Sequence, residues 1–176
     1  DDQAETDRYW NAILANGGQP SACGWCKDRW GVNWQITPRV LTEAIASPDP
    51  AVALREDDAG LRASQTIVQQ LLDRESARGV PPERTVLMGF SQGCAMTLLA
   101  GLRAPQRLAG LVALSGYLPL AGHTAAERSA TNQNTPIFLA HGTHDPVVVV
   151  QRGEAARDAL QALDYRVDWH TYPMEH

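Results

Sequence analysis

Ser91 stands in the run Gly89-Phe90-Ser91-Gln92-Gly93, a G-x-S-x-G preceded by the apolar stretch "TVLMGF" and followed by a helical pattern. A strand that turns sharply into a helix at this serine lifts the hydroxyl clear of the sheet, and small flanking residues let strand and helix approach. The helix start leaves backbone N–H groups without intrahelical partners, so the N–H of Gln92 is the candidate donor to an oxyanion. A hydroxyl is a poor nucleophile until a base takes its proton, and the base needs a carboxylate to orient it. Downstream, "HGTHDPVV" supplies Asp145 in the loop after an apolar run, and "YPMEH" supplies His176. Together the three can carry out acyl transfer to Ser91, with His176 as general base and then general acid.

Other reactive side chains read as structural. His141, His144 and Asp145 form H-x-x-H-D, but three neighbouring loop positions without further ligands are a poor metal set, and no metal is expected. His141 is read as a buried strand-end residue bonded locally, and His144 as a turn residue. His170 falls in a strand and His123 in a polar loop. Cys23 and Cys26 make a lone C-x-x-C without a second pair, read as two half-buried hairpin residues. Cys94, on the helix behind Ser91, is read as packed rather than reactive.

The elements that must position this set alternate in type. "LRASQTIVQQLLDRESARG" carries Leu61, Ile67, Val68, Leu71 and Leu72 at helical spacing and stops at Gly79. After "TVLMGF" come a helix from Gln92 to about Arg103, a strand in "LAGLVALS", a long polar loop over 117–135, and a strand in "PIFLAHG". A helix over 151–163 and a strand in "YRVDWHTY" follow. Repeated βα units with apolar strands predict a parallel sheet covered by helices, with Ser91, Asp145 and His176 at the C-terminal ends of its strands.

The first fifty-odd residues differ in kind. "TDRYWNAILANGG" predicts a short helix opened by Thr6 or Asp7 and closed at Gly17-Gly18. "ACGWCKDRWGVNWQIT" predicts two strands around a turn near "KDRWG", and "RVLTEAIA" a helix stopped by Pro48-Asp49-Pro50. Four of the five tryptophans, Trp10, Trp25, Trp30 and Trp34, fall here, so this portion has a composition of its own. The stretch "SPDPAVALREDDAG" reads as a junction.

Through "GFSQGC", "LSGYLP", "PIFLAHGTHDPVV" and "YPMEH", residues 57–176 resemble the carboxylesterase and acyl-protein thioesterase family of α/β-hydrolases. In that fold the chain order is Ser, then Asp or Glu, then His, and the resemblance assigns Ser91, Asp145 and His176 to those roles. Residues 1–53 resemble the C-terminal part of a glyoxalase/bleomycin-resistance (demethylubiquinone-methyltransferase-like) domain, through "YWNAIL", "CGWCKDRWGVNWQITPRVL" and "SPDP". The implied fold class is α/β: an incomplete α/β-hydrolase-type sheet over 61–176, preceded by a 54–60 linker and a helix/β-hairpin/helix fragment over 1–53, a chimeric layout. The family's H-G-x-G-like oxyanion loop, its first strands and the helix after its histidine are missing from this sequence. The reading therefore expects weak activity, an exposed edge on the "TVLMGF" strand that the N-terminal hairpin or a second copy can cover, and a mobile His176.

Bulk properties exclude several other classes. A chain of 176 residues with 44% hydrophobic and 20% charged residues is that of a globular protein, and no apolar run is long enough to span a bilayer. A net charge of -5 without a Lys/Arg cluster argues against nucleic acid or anionic lipid as a partner. Three cysteines and no signal-peptide pattern point to a cytoplasmic protein without a disulfide framework. The expected function is hydrolysis of small carboxylic esters or thioesters through an acyl-Ser91 intermediate, without a cofactor and with undefined substrate-binding residues. The competing expectation is a non-catalytic chimera, or a binding module whose functional part is the N-terminal segment.

Overall fold

The computed structural model describes residues 3–21, 25–36 and 58–176, and the chain divides into two compact units, Asp1–Arg55 and Glu56–His176.

In the first unit, helix α1 (Gln3–Ala15) is followed by three short antiparallel strands, β1 (Gln19–Pro20), β2 (Trp25–Lys27) and β3 (Asn33–Gln35), in the order β1-β2-β3. The helix begins earlier than Thr6 and ends at the glycine pair, where Gly17 takes φ 85°. Asp28 shapes the β2–β3 turn: its Oδ1 accepts the N–H groups of Trp30 and Val32, and its Oδ2 accepts the indole N–H of Trp34. Such a carboxylate-centred turn is what an Asp after a short strand favours. Strand β1 was not expected. It pairs in register with β2, Pro20 opposite Cys26, and Cys26 is buried. Cys23 and the expected "RVLTEAIA" helix lie outside the described residues.

The second unit holds a four-stranded, all-parallel sheet in the order β4 (Val86–Phe90), β5 (Gly110–Leu114), β6 (Ile137–Gly142), β7 (Val167–Tyr172). Helix α2 (Asp58–Ala77) precedes it, and α3 (Gln92–Arg103), α4 (Ala121–Glu127) and α5 (Val150–Ala162) connect its strands. Period-two alternation decides what the sheet buries. Leu111, Ala113, Ile137 and Leu139 lie in the core with Leu98 and Leu102 of α3 and Ala156 and Leu160 of α5, while Leu87, Val167 and Trp169 pack against it. On β4 the alternate residues Val86, Met88 and Phe90 are 51%, 68% and 48% exposed, so one face of this strand is left to solvent. The sheet is thus the α/β-hydrolase type expected, and β4 is its edge among the described residues.

Two expectations change. Of the apolar positions on α2 only Leu72 is buried against the core, and Ile67 and Leu71 are exposed, since nothing among the described residues covers that side of the helix. Residues 117–135 are not a loop throughout: they form α4, which carries His123, and a 3₁₀ turn over Ala130–Asn132. Polar side chains there are spent internally. Asn132 Oδ1 accepts from Leu108 N–H and from the Thr135 hydroxyl, and its Nδ2 donates to the carbonyls of Ala104 and Gln106. A fully bonded amide of this kind can be wholly buried without penalty, so a polar sequence reads as loop while folding as interior.

Candidate functional site

Ser91 is the residue between β4 and α3 and holds φ 56°, ψ -118°, a conformation that costs a non-glycine residue about 1–3 kcal/mol and persists only under surrounding constraint. The constraint is visible: Ser91 N–H donates to Leu114 O at 2.8 Å, tying the elbow to β5. Gly89 makes the turn possible, since a Cβ there would sit 2.1 Å from Gly93 O. Gly93 differs from the expectation, for a Cβ on it would meet nothing within 4 Å. Only the first glycine of the G-x-S-x-G is needed for close approach. Gln92 opens α3, where its N–H has no carbonyl four residues back to bond.

Asp145 follows β6 in a tight turn and its side chain is fully buried. Its Oδ1 accepts the N–H groups of Val147 and Val148 at 2.9 and 2.8 Å, the self-bonded turn that an Asp-Pro pair favours. Burial pushes the Asp145 pKa up, but the hydrogen bond from His176 and the N–H groups of Val148 and Val147 outweigh it. The carboxyl therefore titrates below its ordinary value.

His176 is reached through a segment that continues the sheet past its strands. Thr143 N–H donates to Tyr172 O at 2.8 Å and His144 N–H to Met174 O at 3.1 Å, so the residues before His176 are held beside the Asp145 turn. Gly142 leaves room for them: a Cβ there would lie 2.4 Å from Met174 O. Beside these backbone bonds the imidazole meets the Phe90 ring, whose centroid lies 4.6 Å from its own.

The three side chains, 31 and 85 residues apart, meet in a line. His176 Nδ1 is 2.6 Å from Asp145 Oδ2, and its Nε2 is 2.8 Å from Ser91 Oγ. An ionised carboxylate only accepts, so Nδ1 carries the proton and Nε2 presents its lone pair to the Ser91 hydroxyl. His176 is 19% exposed against 0% for Asp145, so the imidazole is partly open to solvent and the carboxylate is not. Cys94 lies beneath the elbow, where burial pushes its thiol up to about 12. His141 is buried, His144 and His170 are exposed, and among the described residues no group of three His, Cys, Asp or Glu could hold a metal ion. The anchors from Val147 and Val148 and the Phe90 ring were not anticipated. The D-P dipeptide signals the former, and nothing local signals the latter.

A parallel sheet with a serine on a strained strand-to-helix elbow, and an acid and a histidine after later strands, defines an α/β-hydrolase. The chain belongs to the phospholipase/carboxylesterase family, whose model matches residues 45–176. It is 42% identical over 145 residues to acyl-protein thioesterase 1 of Neurospora crassa, covering 80% of this chain and 59% of that protein. It is 41% identical over 119 residues to the protein of the same name from Yarrowia lipolytica, covering 66% of this chain and 52% of the relative. The chain thus spans between half and three-fifths of these curated relatives. Among solved structures, SOBER1 of Arabidopsis thaliana matches with a TM-score of 0.65 at 30% identity, over 68% of this chain and 58% of that one. Esterase PE8 matches with a TM-score of 0.66 at 26% identity, over 98% of this chain and 76% of its own. Residues 1–37 separately match the family model described as 3-demethylubiquinone-9 3-methyltransferase.

Proposed function

We propose that the chain hydrolyses small carboxylic esters or thioesters through an acyl-Ser91 intermediate. The observation that carries the reading is the continuous hydrogen-bonded line from Asp145 through His176 to the Ser91 hydroxyl. As Oγ bonds to the carbonyl carbon, His176 Nε2 takes the hydroxyl proton, and the buried Asp145 carboxylate steadies the imidazolium. The carbonyl oxygen becomes an oxyanion facing the Gln92 N–H. Collapse breaks the bond to the alcohol or thiol, which leaves with the proton from His176. Water then attacks the acyl-Ser91 carbonyl, giving a proton to the same nitrogen, and collapse breaks the bond from the acyl carbon to Oγ, which takes that proton back from His176 as the carboxylic acid departs.

Among the described residues the Gln92 N–H is the one oxyanion donor identified, and removing a single such donor from an enzyme typically costs about 10²–10³ in kcat. The names of the relatives favour hydrolysis over a non-catalytic chimera or a binder centred on residues 1–53. A fluorophosphonate probe followed by peptide mapping tests the assignment. Label on Ser91, lost in Ser91→Ala together with cleavage of nitrophenyl butyrate, supports it, and an unlabelled Ser91 rejects it. Two further parts of the proposal are self-pairing along β4, supported by its exposed Val86, Met88 and Phe90, and a cytoplasmic location, to be checked by cell fractionation.

A further inference from the structure

His141 takes no part in the line just described, yet it is 1% exposed at the end of β6 and points its imidazole at the turn that carries Asp145. Its Nε2 is 2.6 Å from Val148 O. A carbonyl only accepts, so Nε2 carries the proton and donates. Val148 is also one of the two residues whose N–H groups hold Asp145 Oδ1. Both polar groups of the Val148 backbone are thereby fixed, one by the carboxylate and the other by a ring rooted in the sheet. The same Nε2 lies 3.6 Å from Asp145 Oδ2, the oxygen that accepts from His176, with both side chains fully buried. On the far side Nδ1 has no hydrogen-bond partner among the described residues and faces α5 at Gly153, where a Cβ would come within 2.4 Å of it and 3.0 Å of Trp169. The imidazole is therefore held in one tautomer and one orientation, in a slot that only glycine at 153 leaves open.

We infer that His141 is a positioning residue for the hydrolytic site: through Val148 it transmits the rigidity of β6 to the Asp145 carboxylate and so sets the aim of His176 at Ser91. The inference rests on the proposed hydrolytic reading for its kinetic consequence, but not for its structural one. Removing the donor frees the turn to shift by part of an ångström, and misplacement on the scale of 1 Å costs about a hundredfold in rate.

Three variants and two readouts test this. His141→Leu fills the space without a donor, whereas His141→Gln can present an amide N–H at a similar reach. Gly153→Ala leaves His141 in place but crowds its ring, and alanine is the better helix former, so α5 itself is not weakened. For each, kcat and KM are measured with nitrophenyl butyrate, and the far-downfield proton of the short His176–Asp145 hydrogen bond is observed by NMR. His141→Leu and Gly153→Ala are expected to lose about ten- to a hundredfold in kcat with KM little changed and to broaden that proton, and His141→Gln to keep both near wild type. A folded His141→Leu or Gly153→Ala with unchanged kcat and an intact downfield proton overturns the inference. So does a His141→Gln as impaired as the leucine variant. If His141→Leu does not fold, Gly153→Ala and His141→Gln decide. If wild type neither cleaves ester nor labels at Ser91, the hydrolytic reading has failed, and the proton alone decides the role of His141.

Discussion

Asp145→Asn separates the electrostatic part of the site from its scaffold. The amide keeps the shape of the carboxylate, and its oxygen can take the place of Oδ1, accepting from Val147 and Val148 at the present 2.9 and 2.8 Å. The turn should therefore survive. Its NH₂ group then occupies the Oδ2 position, 2.6 Å from His176 Nδ1, where two donors would face each other. The imidazole escapes by moving its proton to Nε2, which leaves the nitrogen 2.8 Å from Ser91 Oγ unable to accept. The buried charge that would steady an imidazolium is lost as well. The analogous substitution in a serine protease lowers kcat by about 10⁴, roughly 5.4 kcal/mol of transition-state stabilisation, and a loss of that order is expected here. Asp145→Ala differs by also releasing two backbone N–H groups, about 1–3 kcal/mol for each that stays buried without a partner. The assay is kcat/KM for nitrophenyl butyrate together with the rate of fluorophosphonate labelling, with urea unfolding as the control for the fold. Because the Asp145 pKa is depressed in the folded state, its charge contributes stability above the ordinary carboxylate pKa. That contribution fades as pH falls through the folded value, so any destabilisation in the asparagine variant should shrink in acid. An asparagine variant that retains its fold and loses less than about tenfold in kcat/KM would refute the assignment of Asp145 as the orienting carboxylate.

Glu127 accepts from Arg62 at 2.8 Å and from Arg103 at 2.8 Å, and these bonds, with burial opposing, take its pKa down to about 2. Glu127→Gln should cost about 2 kcal/mol at pH 7, discounting for the partial exposure of Arg62 and Glu127, with a difference from wild type that disappears between pH 4.5 and pH 2 as wild type is protonated. Urea titrations across that range check it, and a pH-independent difference would count against the ion pairs as its source. Asn132→Ala removes four hydrogen bonds at a site with no solvent access and should destabilise by on the order of 3 kcal/mol, read as a lower urea midpoint with an unchanged slope. Met88→Lys places a charge on the exposed face of β4 and should reduce concentration-dependent self-association in sedimentation, whereas an unaltered monomer–oligomer balance would exclude β4 as the pairing surface.

Much of the fold was legible because its signals are local. An apolar run followed by a helical pattern marks β4 and α3, and the same pairing recurs at β6 and α5, so a parallel sheet follows from periodicity alone. The candidacy of Ser91, Asp145 and His176 could be read for a similar reason, since only a few residue types can serve as nucleophile, acid and base, and the three side chains do meet. Where local signals mislead, a long-range partner has intervened. Residues 117–135 look like loop because Thr124, Asn132 and Thr135 are polar, yet Asn132 and Thr135 bond backbone groups distant in sequence, and Thr124 closes onto Leu120 O one turn back. Ile67 and Leu71 look like core, yet nothing among the described residues buries them. Distance is the quantity no local pattern contains. Whether His176 lies 2.8 Å from Ser91 or 8 Å away depends on the register of β6 with β7, on the space left by Gly142, and on the His141 ring behind the Asp145 turn. Residue types determined what chemistry the chain can attempt, and only the packing of three strand ends decided that the atoms needed for it meet.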